Sequence, residues 1–596
     1  MSESFFEHPI LNSPYEYPNR HWELDESGQP IKEVNRRRSA SYITPVPKAK
    51  RQKAPKAQDS LNFEADVSTD DNYDPMPFIN DLRKEIDAWR LLPEEKWGVT
   101  AETARLLKHW RGDHFSGIRP FFCQVEAAEV AIWLTEVAPR ASVRGKYFLD
   151  HLKNANEGSN PGLLRLALKL ATGAGKTTVM ALLIIWQTIN SVRYPNSARF
   201  TKGFLLIAPG ITIRDRLRVL LPNDPENYYQ TRNLVPREFL REIQQARVVI
   251  TNYHAFKLKE KIELSKGNRE FLQGRGDALQ TVETEGQMLS RVLKPLMGMK
   301  HMMVINDEAH HCYRERPPTE NEEGKLTGDD KNEAKENNEA ARLWISGIEA
   351  ANRHFKKVSV IDLSATPFFL RGSGYSEGTL FPWTMSDFSL MDAIECGIVK
   401  LPRVPVADNL PDGELPKYRE LWEHIRTQMP KKGRGKAGVL DPQKLPTLLN
   451  GALDALYGHY KATYDIWAKA NIPVPPCFIV VCNNTTTSKL VYDYISGYER
   501  DNANGDIEVV PGKLELFRNY DENGNVLGRP RTLLIDSGQL ESGDALDDNF
   551  RKAAGKEIEL FRREILERTG DQKQADNITE ASLLREVMNT VGQQGK

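Results

Sequence analysis

The sequence has few cysteines and no long apolar run. Its cysteines lack the paired CxxC spacing of a zinc site, so we expect reduced thiols in a cytoplasmic protein. No apolar run approaches the roughly 18 residues that begin to suggest a membrane span, and no charged-then-apolar leader is found. We therefore expect no membrane partner. The five cysteines are Cys123, Cys312, Cys396, Cys477 and Cys482.

The chain also has no excess of either charge. Its formal net charge is −1 over 596 residues, so a nucleic-acid surface would have to be local. One local candidate is the segment 32–56, which has nine basic residues and one acidic residue. We interpret this segment as part of a flexible N-terminal tail, with a nucleic-acid-binding arm as the alternative.

Strands and helices alternate from about residue 164, which indicates an α/β fold with a doubly wound parallel sheet. A second α/β unit is predicted to begin at the apolar run CFIVVC, residues 477–482. The chain is long enough for several domains at about 150 residues each. The first predicted strands are 164–170, 204–208, 247–251, 302–307 and 358–364.

A glycine-rich stretch, LATGAGKTT (170–178), joins the first predicted strand to an apolar helix. Such a loop directs backbone N–H groups into one concavity at the positive end of a helix dipole, where an anion is stabilised. Gly173 and Gly175 let the backbone approach a phosphate without a Cβ in the way. The stretch therefore reads as a phosphate loop that binds ATP, although Leu170 replaces the first glycine of the strict pattern.

Two side chains of this loop have specific predicted roles. Lys176 can reach the β- and γ-phosphates of ATP, and the hydroxyl of Thr177 can ligate Mg²⁺. An ordinary glycine-rich turn is the alternative. The predicted ATP-binding residues of the loop are Thr172, Gly173, Ala174, Gly175, Lys176, Thr177 and Thr178.

Two acids end the predicted strand in INDEAHHC, residues 305–312. This placement puts them at the carboxyl edge of the sheet, where ligands bind in α/β folds. Asp307 is predicted to hold Mg²⁺ through water, and Glu308 to orient and deprotonate the water that attacks the γ-phosphate. A solvated turn is the alternative.

The stretches ATGAGKT (171–177), DEAH (307–310) and SAT (364–366), in that order, resemble motifs I, II and III of superfamily two DEAH-box helicases. The resemblance implies that His310 joins the catalytic group and that the SAT turn, Ser364, Ala365 and Thr366, couples the nucleotide state to the rest of the protein. It also implies RecA-like domains. We predict a RecA-like domain 1 with an N-terminal helical extension over 76–396, after a flexible tail over 1–75. A linker with a helical insertion over 397–470 and an incomplete RecA-like domain 2 over 471–596 follow.

Three further stretches resemble helicase motifs less specifically. RPFFCQVEA (119–127) resembles the glutamine motif, which implies that Gln124 reads the adenine edge; a polar surface residue is the alternative. IAPGITIRDRL (207–217) and ITNYH (250–254) resemble nucleic-acid motifs that contact sugar-phosphate. The residues implied are Pro209, Gly210, Thr251 and Asn252, and for them plain loop residues are the alternative.

Within the superfamily, the sequence resembles the Res subunit of type III restriction enzymes. Four stretches carry the resemblance: HWELDESGQP (21–30), LSATPFFLRGSGY (363–375), SLMDAIECGIVKLPRVPV (389–406) and FIVVCNNTTTSK (478–489). It implies a DNA-dependent ATPase that uses ATP and Mg²⁺, translocates along double-stranded DNA and works beside a DNA-methyltransferase (modification) subunit.

One motif of the family is missing from the sequence. No QxxGRxxR pattern is present, so we expect a truncated chain without motifs V and VI and without the nuclease domain. In the family, this motif supplies an arginine finger, which contributes about 10³–10⁵ in the rate of ATP hydrolysis. A chain without it could be a nucleotide-gated nucleic-acid binder that does not turn over ATP, and this is one alternative. An RNA helicase is the other, because the shared motifs contact phosphate and do not distinguish DNA from RNA.

Overall fold

The structure is a computed structural model. It describes residues 3–25, 29–40, 76–112, 115, 117–141, 143–210, 216–261, 281–316, 329–401, 421–429, 441–482, 485–501, 507–527, 530–535, 562–563, 566 and 572. The chain divides into two compact units, Met1–Leu401 and Pro402–Lys596. The boundary is close to the predicted end of the first domain at residue 396. The segment 583–596, where the chain was expected to stop short of motifs V and VI, lies outside the described residues.

A six-stranded parallel sheet forms the centre of the first unit. The strands of this unit are β1 (His21–Leu24), β2 (Pro30–Val34), β3 (Arg165–Leu170), β4 (Gly203–Ala208), β5 (Arg247–Asn252), β6 (Glu260–Lys261), β7 (Thr281–Val282), β8 (His301–Asp307), β9 (Lys357–Ser364) and β10 (Thr384–Phe388). The order in the sheet is β10-β3-β9-β8-β4-β5. Two short antiparallel pairs, β1-β2 and β6-β7, accompany it. The predicted α/β fold with a parallel sheet is confirmed.

Helices cover both faces of this sheet, because its strands carry apolar side chains on both sides. On one face Leu168 belongs to a buried cluster with Leu183 of helix α6. On the other face Val360 belongs to a cluster with Trp344 of helix α10. The helices of the unit are α1 (Glu3–Glu7), α2 (Met76–Arg90), α3 (Ala101–Arg111), α4 (Phe122–Ile132), α5 (Val143–Ser159), α6 (Lys176–Arg193), α7 (Tyr228–Thr231), α8 (Leu240–Ile243), α9 (Glu285–Val292), α10 (Asp329–His354) and α11 (Leu390–Glu395).

All five strands predicted for the sheet are present, each within one residue of the predicted bounds. The sixth strand, β10, was not predicted. Its sequence TMSDF contains only two apolar side chains, Met385 and Phe388, separated by Ser386 and Asp387, so no apolar stretch marks it as a strand. Asp387 is nevertheless buried, because its carboxylate pairs with the ammonium of Lys169 on the adjacent strand β3.

The described part of the N-terminal segment is not a flexible tail. Residues 3–25 and 29–40 pack on the first unit, and the side chains of Arg37 and Arg38, two arginines of the basic segment, are only 7% and 9% exposed in ion pairs. Arg37 makes a two-pronged pair with Glu126, at 2.7 and 2.5 Å. Arg38 donates to Glu395 at 2.6 Å. Buried carboxylates paired with these arginines bind the segment to helices α4 and α11, which composition alone could not show.

The second unit has its own smaller core. It contains helices and an antiparallel hairpin, whose side chains pack around Leu453, Tyr494 and Phe517. The predicted linker over 397–470 contributes helix α13 to this core. The elements are α12 (Leu421–Ile425), α13 (Thr447–Lys469), α14 (Thr485–Ser496), β11 (Gly497–Asp501) and β12 (Ile507–Pro511).

The predicted opening strand of the second unit, residues 477–482, is not a strand in the structure. A parallel sheet in this unit is not found among the residues described, where the only paired strands are β11 and β12. Across the described residues of both units, no helix is sufficiently long and apolar to cross a membrane.

Candidate functional site

The carboxyl edge of the six-stranded sheet gathers most of the predicted site residues. The phosphate loop follows β3, Ser364 ends β9 and Asp307 ends β8. Because these three strands are adjacent and parallel, in the order β3-β9-β8, their ends lie side by side. The fold therefore brings together three stretches that are spread over residues 170–366 of the sequence.

The phosphate loop adopts a backbone that requires glycine at two positions. Gly173 has φ = 85° and Gly175 has φ = 82°, in the left-handed region that side chains disfavour. A Cβ at Gly173 would lie 2.7 Å from Val399 Cγ1, and one at Gly175 would lie 2.3 Å from Gln124 Nε2. Thr172 and Gly173 are exposed and Ala174 is buried. The loop ends at Lys176, where the 18-residue helix α6 begins.

Gln124 supports the loop from helix α4. Its side-chain Nε2 donates to the carbonyl of Ala174 at 2.8 Å, and its Oε1 accepts from the amide of Phe121 at 3.0 Å. The side chain is buried, with 4% exposed. Both the nitrogen and the oxygen of this side-chain amide therefore form hydrogen bonds with the backbone, and the partner of the nitrogen lies in the phosphate loop. Its reading of adenine remains a prediction.

Lys176 lies directly opposite the acid pair. Its Nζ is 2.6 Å from Glu308 Oε1, and both side chains retain some exposure. Glu308 has a left-handed backbone, with φ = 49° and ψ = 48°, which is uncommon for a residue with a Cβ and often marks a functional position. A phosphate held by Lys176 would thus be within reach of the Glu308 carboxylate. Thr177, on the first turn of α6, is half-buried.

Asp307 is the buried member of the acid pair. Burial and the negative charge of Glu308, opposed by the positive charge of Lys176, together raise the pKa of its carboxyl group to about 6. Its Oδ1 accepts from the backbone amide of Glu308 at 3.1 Å. A carboxylate that is costly to ionise in this position is one that a nearby cation would stabilise.

His310 connects the acid pair to the SAT turn. Its Nδ1 lies 3.0 Å from Ser364 Oγ, within hydrogen-bond distance, and the amide of Thr366 donates to the same oxygen at 3.0 Å. Burial, together with the neighbouring His311 and Lys176, lowers the pKa of His310 to about 3, so the ring is neutral at pH 7. Ala365 is half-buried and Thr366 is exposed. The geometry joins the ends of β8 and β9 through one side-chain contact.

The four predicted nucleic-acid residues lie on the next strands of the same edge. Pro209 and Gly210 follow β4 and are half-buried, while Thr251 and Asn252 end β5 at the margin of the sheet. Thr251 is 8% exposed. Residues 211–215 of the intervening stretch lie outside the described residues, and contacts of these four residues with nucleic acid remain predictions.

One neighbour of the phosphate loop was missed by sequence reasoning. Arg232, which follows helix α7, donates from NH1 to Thr178 Oγ1 at 3.0 Å. The two residues are 54 positions apart, and the segment around Arg232 matches none of the recognised motifs, so no sequence signal indicated this contact.

Residues 132–369 match the family model described as "Type III restriction enzyme, res subunit". This segment contains the phosphate loop, the acid pair and the SAT turn, and lies within the first unit. No curated protein matches the chain. Among solved structures, the chain is similar to one titled "The crystal structure of T4 UvsW", with 14% identity and a TM-score of 0.18. That match covers 53% of this chain and 37% of the other, so the chain spans well under half the length of that protein.

Proposed function

We propose that this chain is an ATP-dependent helicase or translocase subunit of a restriction system, which binds Mg²⁺-ATP at the carboxyl edge of its parallel sheet and acts on double-stranded DNA. The observation that carries the proposal is the 2.6 Å separation of Lys176 Nζ and Glu308 Oε1, beside a loop with two left-handed glycines. Lys176, a cation that could bind a phosphate, and Glu308, a base that could activate water, are therefore close enough to contact the same ligand. The similarity of residues 132–369 to Res subunits supports the restriction-system assignment.

The residues present suit a Mg²⁺-nucleotide. Thr177 and Asp307 would hold the ion, in keeping with magnesium sites that use one or two protein oxygens together with substrate phosphates. Bound there, Mg²⁺ would neutralise charge on the β- and γ-phosphates. Glu308 orients the attacking water and accepts its proton. The ends of β8 and β9 meet through His310 and Ser364, which provides a contact able to report the nucleotide state to the rest of the unit.

Action on nucleic acid is the second part of the proposal. Pro209 and Gly210 follow β4, and Thr251 and Asn252 end β5; these two strands come after β8 in the sheet order, on the side away from the phosphate loop. Contacts from such residues would go to the sugar-phosphate backbone and carry no sequence reading. The DNA-methyltransferase partner rests on the resemblance to Res subunits alone.

The test separates binding from turnover. Lys176→Ala should weaken Mg²⁺-ATP binding about 10–100-fold, since a charge-assisted contact with phosphate is lost. Glu308→Gln should retain ATP affinity within a few-fold and reduce kcat by about 10²–10⁴. Lys153→Ala, an exposed lysine on α5, is the matched control and should change neither. Calorimetric binding and a steady-state ATPase assay with and without duplex DNA provide the measurements.

Two outcomes would replace the proposal. If the wild-type chain binds Mg²⁺-ATP but shows no DNA-stimulated turnover, it is a nucleotide-gated binding module. If RNA displaces duplex DNA at fixed salt and stimulates turnover better, it is an RNA helicase; the salt must be fixed because such affinities depend strongly on it. If the wild-type chain has no Mg²⁺-dependent affinity for ATP, the nucleotide site is wrong.

A further inference from the structure

An arginine outside the recognised motifs faces the phosphate loop. Arg232 NH1 donates to Thr178 Oγ1 at 3.0 Å, and its guanidinium carbon lies 3.5 Å from the centre of the Tyr228 ring. Thr178 is on the first turn of helix α6, two residues after Lys176, and is 2% exposed. The guanidinium is thus held on one side by a hydroxyl of the loop helix and on one face by an aromatic ring.

The segment that carries Arg232 is fixed to the core at both ends. Tyr229 is fully buried and donates its hydroxyl to the carbonyl of Leu220 at 2.6 Å. On the other side, Trp110 Nε1 donates to the carbonyl of Leu234 at 2.9 Å. Arg232 therefore extends from an anchored turn, and its position beside Thr178 is set by the surrounding fold.

The charge of Arg232 is not neutralised within the part of the chain that the structure describes. Nearby arginines have carboxylate partners: Arg193 pairs with Glu242, and Arg218 pairs with Glu226 at 2.9 Å. Arg232 has a hydroxyl and an aromatic ring instead, and its side chain is half-exposed. A partly exposed cation with no carboxylate partner, next to a loop built for phosphate, is suited to an anionic ligand.

The position of Arg232 indicates which part of a nucleotide it meets. Glu308 approaches Lys176, so that side of the loop belongs to the γ-phosphate. Arg232 instead contacts Thr178, whose Oγ1 would lie 3.8 Å from a Cβ at Gly175. Resting on the ATP site proposed above, we propose that Arg232 binds the α-phosphate of the nucleotide, with Thr178 and Tyr228 holding its guanidinium in place.

The experiment compares two nucleotides. Mg²⁺-ADP and Mg²⁺ with a non-hydrolysable ATP analogue are titrated calorimetrically into the full chain and its Arg232→Gln variant. Because the α-phosphate is common to both ligands, the variant should lose affinity for both by a similar factor, about tenfold or more for a lost charged contact. Arg232→Lys should recover part of the loss, since a lysine keeps the charge but not the planar fork.

Matched variants separate this inference from the site itself. Arg237→Gln removes an exposed arginine five residues further along and should bind both ligands as the wild type does. Thr178→Val should weaken both ligands by a smaller factor than Arg232→Gln. Wild-type affinity in Arg232→Gln, or a loss confined to the ATP analogue, overturns the role of Arg232 while leaving the ATP site intact. Failure of Lys176→Ala to weaken either ligand would instead overturn the ATP site.

Discussion

Strand β3 and the segment 477–482 are six-residue stretches rich in apolar side chains, and they have opposite outcomes. Strand β3, RLALKL, pairs with β9 on one side and β10 on the other, and all six residues are buried. The segment 477–482, CFIVVC, pairs with no strand among the described residues. Within it Ile479 is 76% exposed and Val481 is 90% exposed.

The difference teaches that an apolar run becomes a strand only where neighbouring strands complete it. In the first unit the sheet extends to the phosphate loop itself, because the amide of Ala171 donates to the carbonyl of Phe388 at 2.9 Å. The loop therefore starts from a backbone that is held on both sides. The segment 477–482 keeps one face on its unit's core through Phe478, which stacks on Phe517, and leaves the other face to solvent.

The largest expected effect concerns the charged residue at the start of β3. Arg165 is fully buried and donates to Asp362 of β9 at 2.8 Å. Arg165→Met would leave that carboxylate buried without its cation, which should reduce the free energy of unfolding by about 3–5 kcal/mol. Urea unfolding of the full chain, followed by tryptophan fluorescence, provides the measurement.

A cross-strand pair in the second unit provides the control. Arg500 and Glu508 pair across the β11-β12 hairpin at 3.1 Å, with 49% and 51% of their side chains exposed. Arg500→Met should leave the unfolding midpoint unchanged within error, as exposed pairs contribute little. Replacing both Arg165 and Asp362 by apolar residues should recover part of the loss. If Arg165→Met is as mild as Arg500→Met, the sheet of the first unit does not depend on this pair.

The next effect compares two apolar truncations. Leu168→Ala, at a fully buried position of β3, should cost about 2–5 kcal/mol because it leaves a cavity between the sheet and helix α6. Val481→Ala removes a side chain that is 90% exposed and should stay within about 0.5 kcal/mol of the wild type. The same urea titration measures both. A loss of more than 1 kcal/mol in Val481→Ala would show that residue 481 is covered by something else.

The same pair of segments shows how far the sequence could predict the fold. The five predicted strands were predictable because stretches dense in apolar side chains are typical of buried parallel strands. Strand β10 was not, since Ser386 and Asp387 interrupt its pattern and Asp387 is buried only by virtue of Lys169, more than two hundred residues away. The segment 477–482 carries the stronger apolar signal and is not a strand. Strand neighbours are a tertiary property that a local pattern does not contain.

The candidate site likewise contains residues that could be predicted from the sequence and one that could not. Lys176, Asp307 and Glu308 were predictable because the chemistry of phosphate binding prescribes both residue type and position at a strand end. Arg232 was not, because its contact with Thr178 depends on a turn anchored by Trp110 and Leu220. Nor could the basic composition of 32–56 reveal that Arg37 and Arg38 are buried, since ion pairs with partners far along the chain decide that.

The next prediction concerns the pH dependence of stability, and it compares a buried histidine of the first unit with an exposed histidine of the second. His151 of α5 stacks on Phe78 in the first unit, and burial lowers its pKa to about 4 from the usual 6.5. The unfolded chain therefore binds a proton more readily than the folded chain between these values, and stability falls as the pH falls through this window. From pH 7 to pH 5 the loss should be about 2 kcal/mol.

His151→Gln should remove that part of the pH dependence. Urea unfolding midpoints of the variant should change less between pH 7 and pH 5 than those of the wild type. His459→Gln, on an exposed face of α13, should leave the wild-type pH dependence intact. Equal slopes for the wild type and His151→Gln would mean that other groups control acid sensitivity in this range.

The smallest expected effect on stability is at the open face of 477–482. Val481→Lys places a charge where 90% of the side chain is exposed, so the unfolding midpoint should not move. An exposed apolar run with unpaired backbone favours association between chains, and a lysine there opposes it. Light scattering at rising protein concentration should therefore show less self-association in the variant than in wild type. Val481→Thr is the uncharged control, and it should have a smaller effect than the lysine. If Val481→Lys lowers the unfolding midpoint, then Val481 lies against a partner surface in solution, and the two segments differ less than their exposures indicate.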